Sequence, residues 1–236
     1  WENNNNTNNI TVLTHSTEEA LCLTAVLRAT TKGKLELLSG GSDCRIVQWQ
    51  QQQSSSHPPW TQQSAMDMNH HQAEERTGGP LWNPPMVHQM VWSSAGNTRY
   101  VAAACGNGQV RLFQTNAGRL VLTAAVEHAA VPACAVAVPK GGTKDDDDSN
   151  SPTRIPSHRL LWSAGNDGVC KLWDVGTFVA GIIDANEDLE HGTPRLLQTL
   201  HHGAKPNALA VAHKGRLWVA DTTRNITGYE VVAVFR

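Results

Sequence analysis

The chain lacks most of what marks the commoner functional classes. Phe and Tyr are scarce, three and two among 236 residues, although Trp occurs eight times. No apolar run approaches the roughly 18 residues that cross a bilayer as a helix, so no membrane span is expected. Neither sign of charge dominates: 19 Lys and Arg stand against 21 Asp and Glu, a formal net charge of −2. That balance argues against a general nucleic-acid or anionic-membrane binder, whose footprint is clearly basic. Disulfide scaffolding is also absent as a pattern. The five cysteines (Cys22, Cys44, Cys105, Cys134 and Cys170) are odd in number and contain no C-x-x-C pair, which reads as free thiols in a reducing, intracellular setting, cytoplasmic or nuclear. No charged-then-apolar leader is visible, and the start at Trp1 rather than Met reads as a fragment. Three Asn-x-Thr triplets, at Asn5, Asn9 and Asn225, are short enough to be coincidental. With 40% hydrophobic and 17% charged residues, the chain is not disordered as a whole.

What is present is repetition. Four segments share a layout: Leu38–Trp49, Ala104–Phe113, Trp162–Asp174 and Val219–Tyr229. Each has a small or apolar strand, a turn, then an alternating run that ends in an aromatic residue. Counting six back from each aromatic lands on Asp43, Asn107, Asp167 and Thr223. Asp and Asn suit tight turns because their side chains bond the nearby backbone, so each segment is predicted to be a β-hairpin. Upstream of each hairpin a His precedes a strand-like run: His15 before Leu21–Leu27, His88 before Gln89–Ser93, His128 before Ala133–Val138 and His202 before Asn207–Ala212. Fourth strands are legible at Leu120–Val126 and Leu196–Leu200. Each unit is therefore expected to be a small antiparallel sheet of about four strands.

The expected organisation runs as follows. Residues 1–14 end a preceding unit, with a strand over Ile10–Leu13, and 15–50 form the first complete unit. Residues 51–79 are a low-complexity linker and 80–127 the second unit. Residues 128–181 form the third unit, interrupted by an acidic insertion at 140–157. Residues 182–193 are an acidic loop and 194–236 the last unit. Polar, Gln-rich or Asp-rich tracts cannot bury enough apolar area to order themselves.

The segment Asn166-Asp167-Gly168 … Leu172-Trp173-Asp174 closely resembles a WD40 repeat. In that family a His, a Ser or Thr, an Asp and a Trp form a hydrogen-bonded chain within each β-propeller blade. The resemblance carries over in full to His15, Ser39, Asp43 and Trp49, and to His128, Ser163, Asp167 and Trp173. It is degraded in the second unit (His88, Ala103, Asn107, Phe113) and in the fourth (His202, Val219, Thr223, Tyr229). Along its length the chain is similar to the C-terminal part of a seven-bladed member. The implied fold is all-β: a partial propeller, an open arc of about four blades with the earlier blades missing and apolar end faces exposed.

Candidate chemistry was weighed against plainer roles. His70 and His71, near His57, Met66 and Met68, sit in polar sequence without the fixed spacing a zinc site needs, and no metal or cofactor is expected. His15, Ser39 and Asp43 include the residue types of a hydrolytic triad, but their recurrence in another unit favours structure. The Gly40-Gly41 and Gly106-x-Gly108 turns precede no helix that could receive phosphate. Asp145 to Asp148 read as a solvated loop rather than a calcium site. Met90, Trp92 and Trp218 are expected in the core. The expected function is a non-enzymatic scaffold that binds an unidentified protein or peptide partner. By the resemblance, the residue before each turn position can face that partner: Ser42, Gly106, Asn166 and Thr222. Two narrower versions are a cullin-4 ligase receptor and an RNA-binding propeller. A substrate receptor of a cullin-4 ubiquitin ligase often has Arg three positions after the blade Trp, where this chain has Asn4, Gln52, Asn116 and Gly176. An RNA-binding propeller needs a basic face with stacking aromatics, whereas these Lys and Arg are scattered. A propeller-based hydrolase or lyase would need ionisable residues converging on a central channel.

Overall fold

The computed structural model describes residues 20–27, 35–51, 60–69, 84–95, 98–116, 119–129, 133–138, 159–175, 194–212 and 216–230. They form fifteen strands and no α-helix. All pairing is antiparallel, and the strands assort into four open sheets in chain order. The first contains β1 (Ala20–Leu27), β2 (Leu35–Gly41), β3 (Arg45–Gln51) and β4 (Trp60–Asp67). The second contains β5 (Val87–Ala95), β6 (Thr98–Cys105), β7 (Gln109–Asn116) and β8 (Arg119–Glu127). The third contains β9 (Ala133–Ala137), β10 (Leu160–Gly165), β11 (Val169–Asp174) and β12 (Arg195–His201). The fourth has three strands, β13 (Pro206–Val211), β14 (Leu217–Asp221) and β15 (Ile226–Tyr229).

The sheets are stacked face to face, and period-2 alternation explains why their strands are apolar on both sides. In β6, Val101 and Ala103 pack toward the first sheet, whereas Tyr100, Ala102 and Ala104 pack toward the third. A third core joins Leu160, Trp162 and Leu172 to Leu209, Leu217 and Val219 of the fourth sheet. The first strands β1, β5, β9 and β13 neighbour one another in that order, and the backbone N–H of Val136 in β9 donates to Gln89 Oε1 in β5 at 3.0 Å.

Irregularities recur at matching places, which identifies the sheets as copies more firmly than composition does. Register shifts fall between Gln48 and Trp49, Leu112 and Phe113, and Leu172 and Trp173, just before the aromatic in each four-stranded sheet. Such a bulge bends the strand and re-aims the side chain. Each β-turn joining second to third strand is closed by one bond: Cys44 to Gly41, Gly108 to Cys105, Gly168 to Gly165 and Arg224 to Asp221, at 3.0–3.3 Å. The donor residue is left-handed every time, with φ of 60° at Cys44, 86° at Gly108, 72° at Gly168 and 71° at Arg224.

Three expectations are corrected. Within 51–79, read as a linker, Trp60–Asp67 is a strand paired with β3 along its length. It is an outer strand with no fully buried position, so it shows no hydrophobic alternation. Its order comes from the β3 ladder and from Ser64 Oγ donating to Gln48 Oε1 at 2.9 Å. Residues Arg195–His201, assigned to the last unit 194–236, pair with β11 and complete the third sheet. Trp218, expected in the core, is 38% exposed, because it lies on the side of the fourth sheet away from the third. Residues 1–14, the insertion 140–157, the loop 182–193, His57 and the histidines His70 and His71 lie outside the described residues.

The turn geometry sets a stability prediction. A non-glycine residue in the left-handed region is strained by about 1–2 kcal/mol. Arg224→Gly is therefore expected to raise the unfolding free energy by about 0.5–1 kcal/mol. Gly168→Ala should lower it by more than about 1 kcal/mol, since a Cβ there would also lie 3.1 Å from the Gly203 carbonyl carbon. Urea titrations of the two variants check both signs.

Candidate functional site

The third sheet carries the complete polar set. His128 follows β8, where its backbone N–H donates to the Gly108 carbonyl at 2.9 Å. The Trp173 indole N–H donates to Ser163 Oγ at 2.8 Å, and Ser163 Oγ lies 2.7 Å from His128 Nδ1. His128 Nε2 is 3.7 Å from Asp167 Oδ1, which also accepts the Val169 N–H at 3.1 Å. The hydroxyl of Ser163 receives the indole proton, so its own proton is directed at Nδ1 and the imidazole carries hydrogen on Nε2, facing Asp167. His128 and Ser163 are both fully buried. Burial lowers the His128 pKa and the Lys171 charge lowers it further, against the opposing pull of Asp167. The ring is accordingly neutral. Gly165 gives it room, because a Cβ there would sit 2.6 Å from two ring atoms.

In the first sheet the Trp49 indole N–H donates to Ser39 Oγ at 2.9 Å, and Asp43 Oδ1 accepts the Arg45 N–H at 3.1 Å. His15 lies outside the described residues.

The second sheet differs from its reading. His88 lies within β5, next to the turn at Gly106, and burial together with the Lys205 charge lowers its pKa. The place of His128 is held by Met68, which follows β4 and donates its N–H to the Cys44 carbonyl at 2.8 Å. Met68 and Phe113 are fully buried in one apolar core with Ala103. Asn107 keeps the turn, accepting the Gln109 N–H at 3.3 Å. The polar chain is thus replaced here by apolar packing. His88 is the nearest upstream His in the sequence, whereas Met68 arrives from β4, a strand that lies inside the polar tract 51–79.

The fourth sheet rebuilds the set with different atoms. His202 Nε2 is 2.9 Å from Asp221 Oδ2, and His202 Nδ1 is 2.6 Å from the Tyr229 hydroxyl. Asp221 Oδ1 accepts the Thr223 hydroxyl at 2.6 Å and the backbone N–H groups of Thr223 and Asn225. The Thr223 hydroxyl, with help from these N–H groups and His202, holds the Asp221 pKa down at about 2. The carboxylate has moved from the third turn position, where Thr223 stands, to the first, the place of Gly165. Tyr229, one ring longer than a Ser side chain could reach, takes over from Val219. Counting back from the aromatic missed Asp221 because it samples one register only.

Two cations were also missed. Lys171 Nζ donates to the His128 carbonyl, and Arg111, at the matching place one sheet earlier, donates to the Met68 carbonyl at 2.7 Å. Each clamps the chain entering its sheet. Asp174 accepts a paired contact from Arg159 at 3.1 and 3.2 Å.

Of the four turn residues expected to face a partner, Asn166 and Thr222 are exposed and Ser42 is half-buried. Gly106 is buried, and a Cβ there would meet the Pro84 carbonyl oxygen at 2.7 Å. It presents no surface, which removes it from that set. Among the described residues no group of His, Cys, Asp and Glu could hold a metal ion. No protein-family model and no curated protein sequence matches the chain.

Two measurements test this description. Ser163→Ala strands the Trp173 N–H and His128 Nδ1 in the interior and is expected to cost about 1–3 kcal/mol, read by urea unfolding. The pH dependence has a definite sign. A His whose folded pKa is depressed contributes stability that is complete above its unfolded value of about 6.5 and is lost as pH falls below it. Stability should therefore decline from pH 7 to pH 5, and less steeply in His128→Gln. The Asp221 contribution is present above about 4 and disappears as pH falls toward about 2.

Proposed function

We propose that the chain is a partial WD40-type propeller, an open arc of four blades, and that it serves as a non-enzymatic platform for a protein or peptide partner. The observation that carries this reading is the set Trp173, Ser163 and His128, buried and joined by bonds of 2.7–2.8 Å, with the exposed Asp167 carboxylate 3.7 Å from His128 Nε2. The Ser163 hydroxyl is occupied on both sides and inaccessible, so residue types that could form a nucleophile and base act here as fasteners. They tie the interior of the sheet to its turn. A partner that docks on turns held this way orders little further backbone, which lowers the entropic cost of binding. Asn166, exposed beside the fastened Asp167, is the best-placed contact, followed by Thr222 and Ser42.

Affinity capture from cell extract tests the proposal. The chain should retain specific partners that are lost with a Ser42→Arg/Asn166→Arg variant of unchanged melting temperature. Equal recovery by both would sink the assignment of this edge as the binding surface.

A further inference from the structure

The fourth sheet has an open apolar face. Its outward rows are Ala210, Trp218 and Gly228, and Ala208, Ala220 and Ile226, as the strand pairing places them. Leu209, Leu217 and Val219 point the other way, into the core shared with the third sheet. Counted back from the turn, Trp218 and Ala220 match Trp162 and Ala164 of the third sheet, Ala102 and Ala104 of the second, and Leu38 and Gly40 of the first. All six of those residues are buried. Trp162 is 1% exposed, whereas Trp218 is 38% and Ile226 73% exposed. The last face therefore has the make-up of faces that this chain covers with a following sheet.

We propose that this face is covered by the same face of a second copy of the chain, in a two-fold dimer. Stacking onto the first sheet of another copy is blocked, because Val47 and Trp49, on the side of that sheet away from the second, are already buried. The open face is also complementary to itself in charge. Arg216 and Glu230 pair at the end of the sheet away from the turn, and both are well exposed. A two-fold axis running along the strands between β14 and β15 sets Arg216 of each copy against Glu230 of the other. Trp218 lies flat on its own Gly228, where a Cβ would come within 2.8 Å of the ring, so its other face is free to stack on its symmetry mate. Three strands of about five residues present a footprint of only about 240 Å². That is well under the roughly 800 Å² per partner of a stable complex, so the dimer is weak.

Sedimentation velocity on the whole chain from about 10 µM to about 1 mM covers weak association. The expected result is a reversible shift from monomer to dimer. Trp218→Glu and Ile226→Lys should each weaken it about tenfold. Arg216→Glu should weaken it too, and the Arg216→Glu/Glu230→Arg pair should restore it. Circular dichroism and urea midpoints separate loss of association from loss of fold, and the exposure of Ile226 keeps its variant folded. A wild-type chain that stays monomeric throughout overturns the proposal and leaves the face to a sheet from another protein. Variants that associate like wild type overturn it as well. So does growth past the dimer, since an open-ended series needs two different faces.

Discussion

The structure depends on how each sheet hands the chain to the next. Where the chain leaves an outer strand, the next residue gives its N–H to the carbonyl of the left-handed turn residue: Met68 to Cys44, His128 to Gly108 and His202 to Gly168, at 2.8–2.9 Å. The side chain of that residue then enters the following sheet, and Arg111 or Lys171 clamps its carbonyl from there. Turn, entering residue and neighbouring sheet are thereby locked together. A sheet with both faces buried cannot leave such backbone groups unpaired, because an orphaned buried donor or acceptor costs about 1–3 kcal/mol.

What fills the space beneath that junction varies from sheet to sheet. The third sheet uses Trp173, Ser163, His128 and Asp167. The fourth uses Tyr229, His202 and Asp221, with the carboxylate moved two residues along the turn. The second replaces the His, Ser and Trp places with Met68, Ala103 and Phe113 and keeps Asn107 in the turn. The second and fourth sheets thus fill this junction with different atoms from the third.

This constraint also separates what is rigid from what is available. Side chains with the most suggestive chemistry, such as Ser163, His128 and Asp221, are consumed by the junctions. Residues beside them, Asn166 and Thr222, remain exposed on turns that the buried bonds hold in place. The open face of the fourth sheet is a different kind of surface. It is a packing face left open among the described residues, made of small residues around Trp218 and Ile226.

Much of the architecture was legible in the residues alone. Hairpins at Leu38–Trp49, Ala104–Phe113, Trp162–Asp174 and Val219–Tyr229 follow from local alternation and turn chemistry, which act within a dozen residues. The Trp49–Ser39 and Trp173–Ser163 pairs were implied by the resemblance to a WD40 repeat and not by the spacing itself. Three features were decided only by tertiary structure: β4 inside a polar tract, Met68 in place of His88, and Asp221 in place of Thr223. An outer strand draws its order from the ladder beside it rather than from its own alternation. A junction residue is chosen by which chain end reaches the turn, a relation between segments that no local window contains. The exposure of Trp218 has the same origin, since burial of a sheet face depends on the presence of a neighbouring sheet and not on the residues of the face itself.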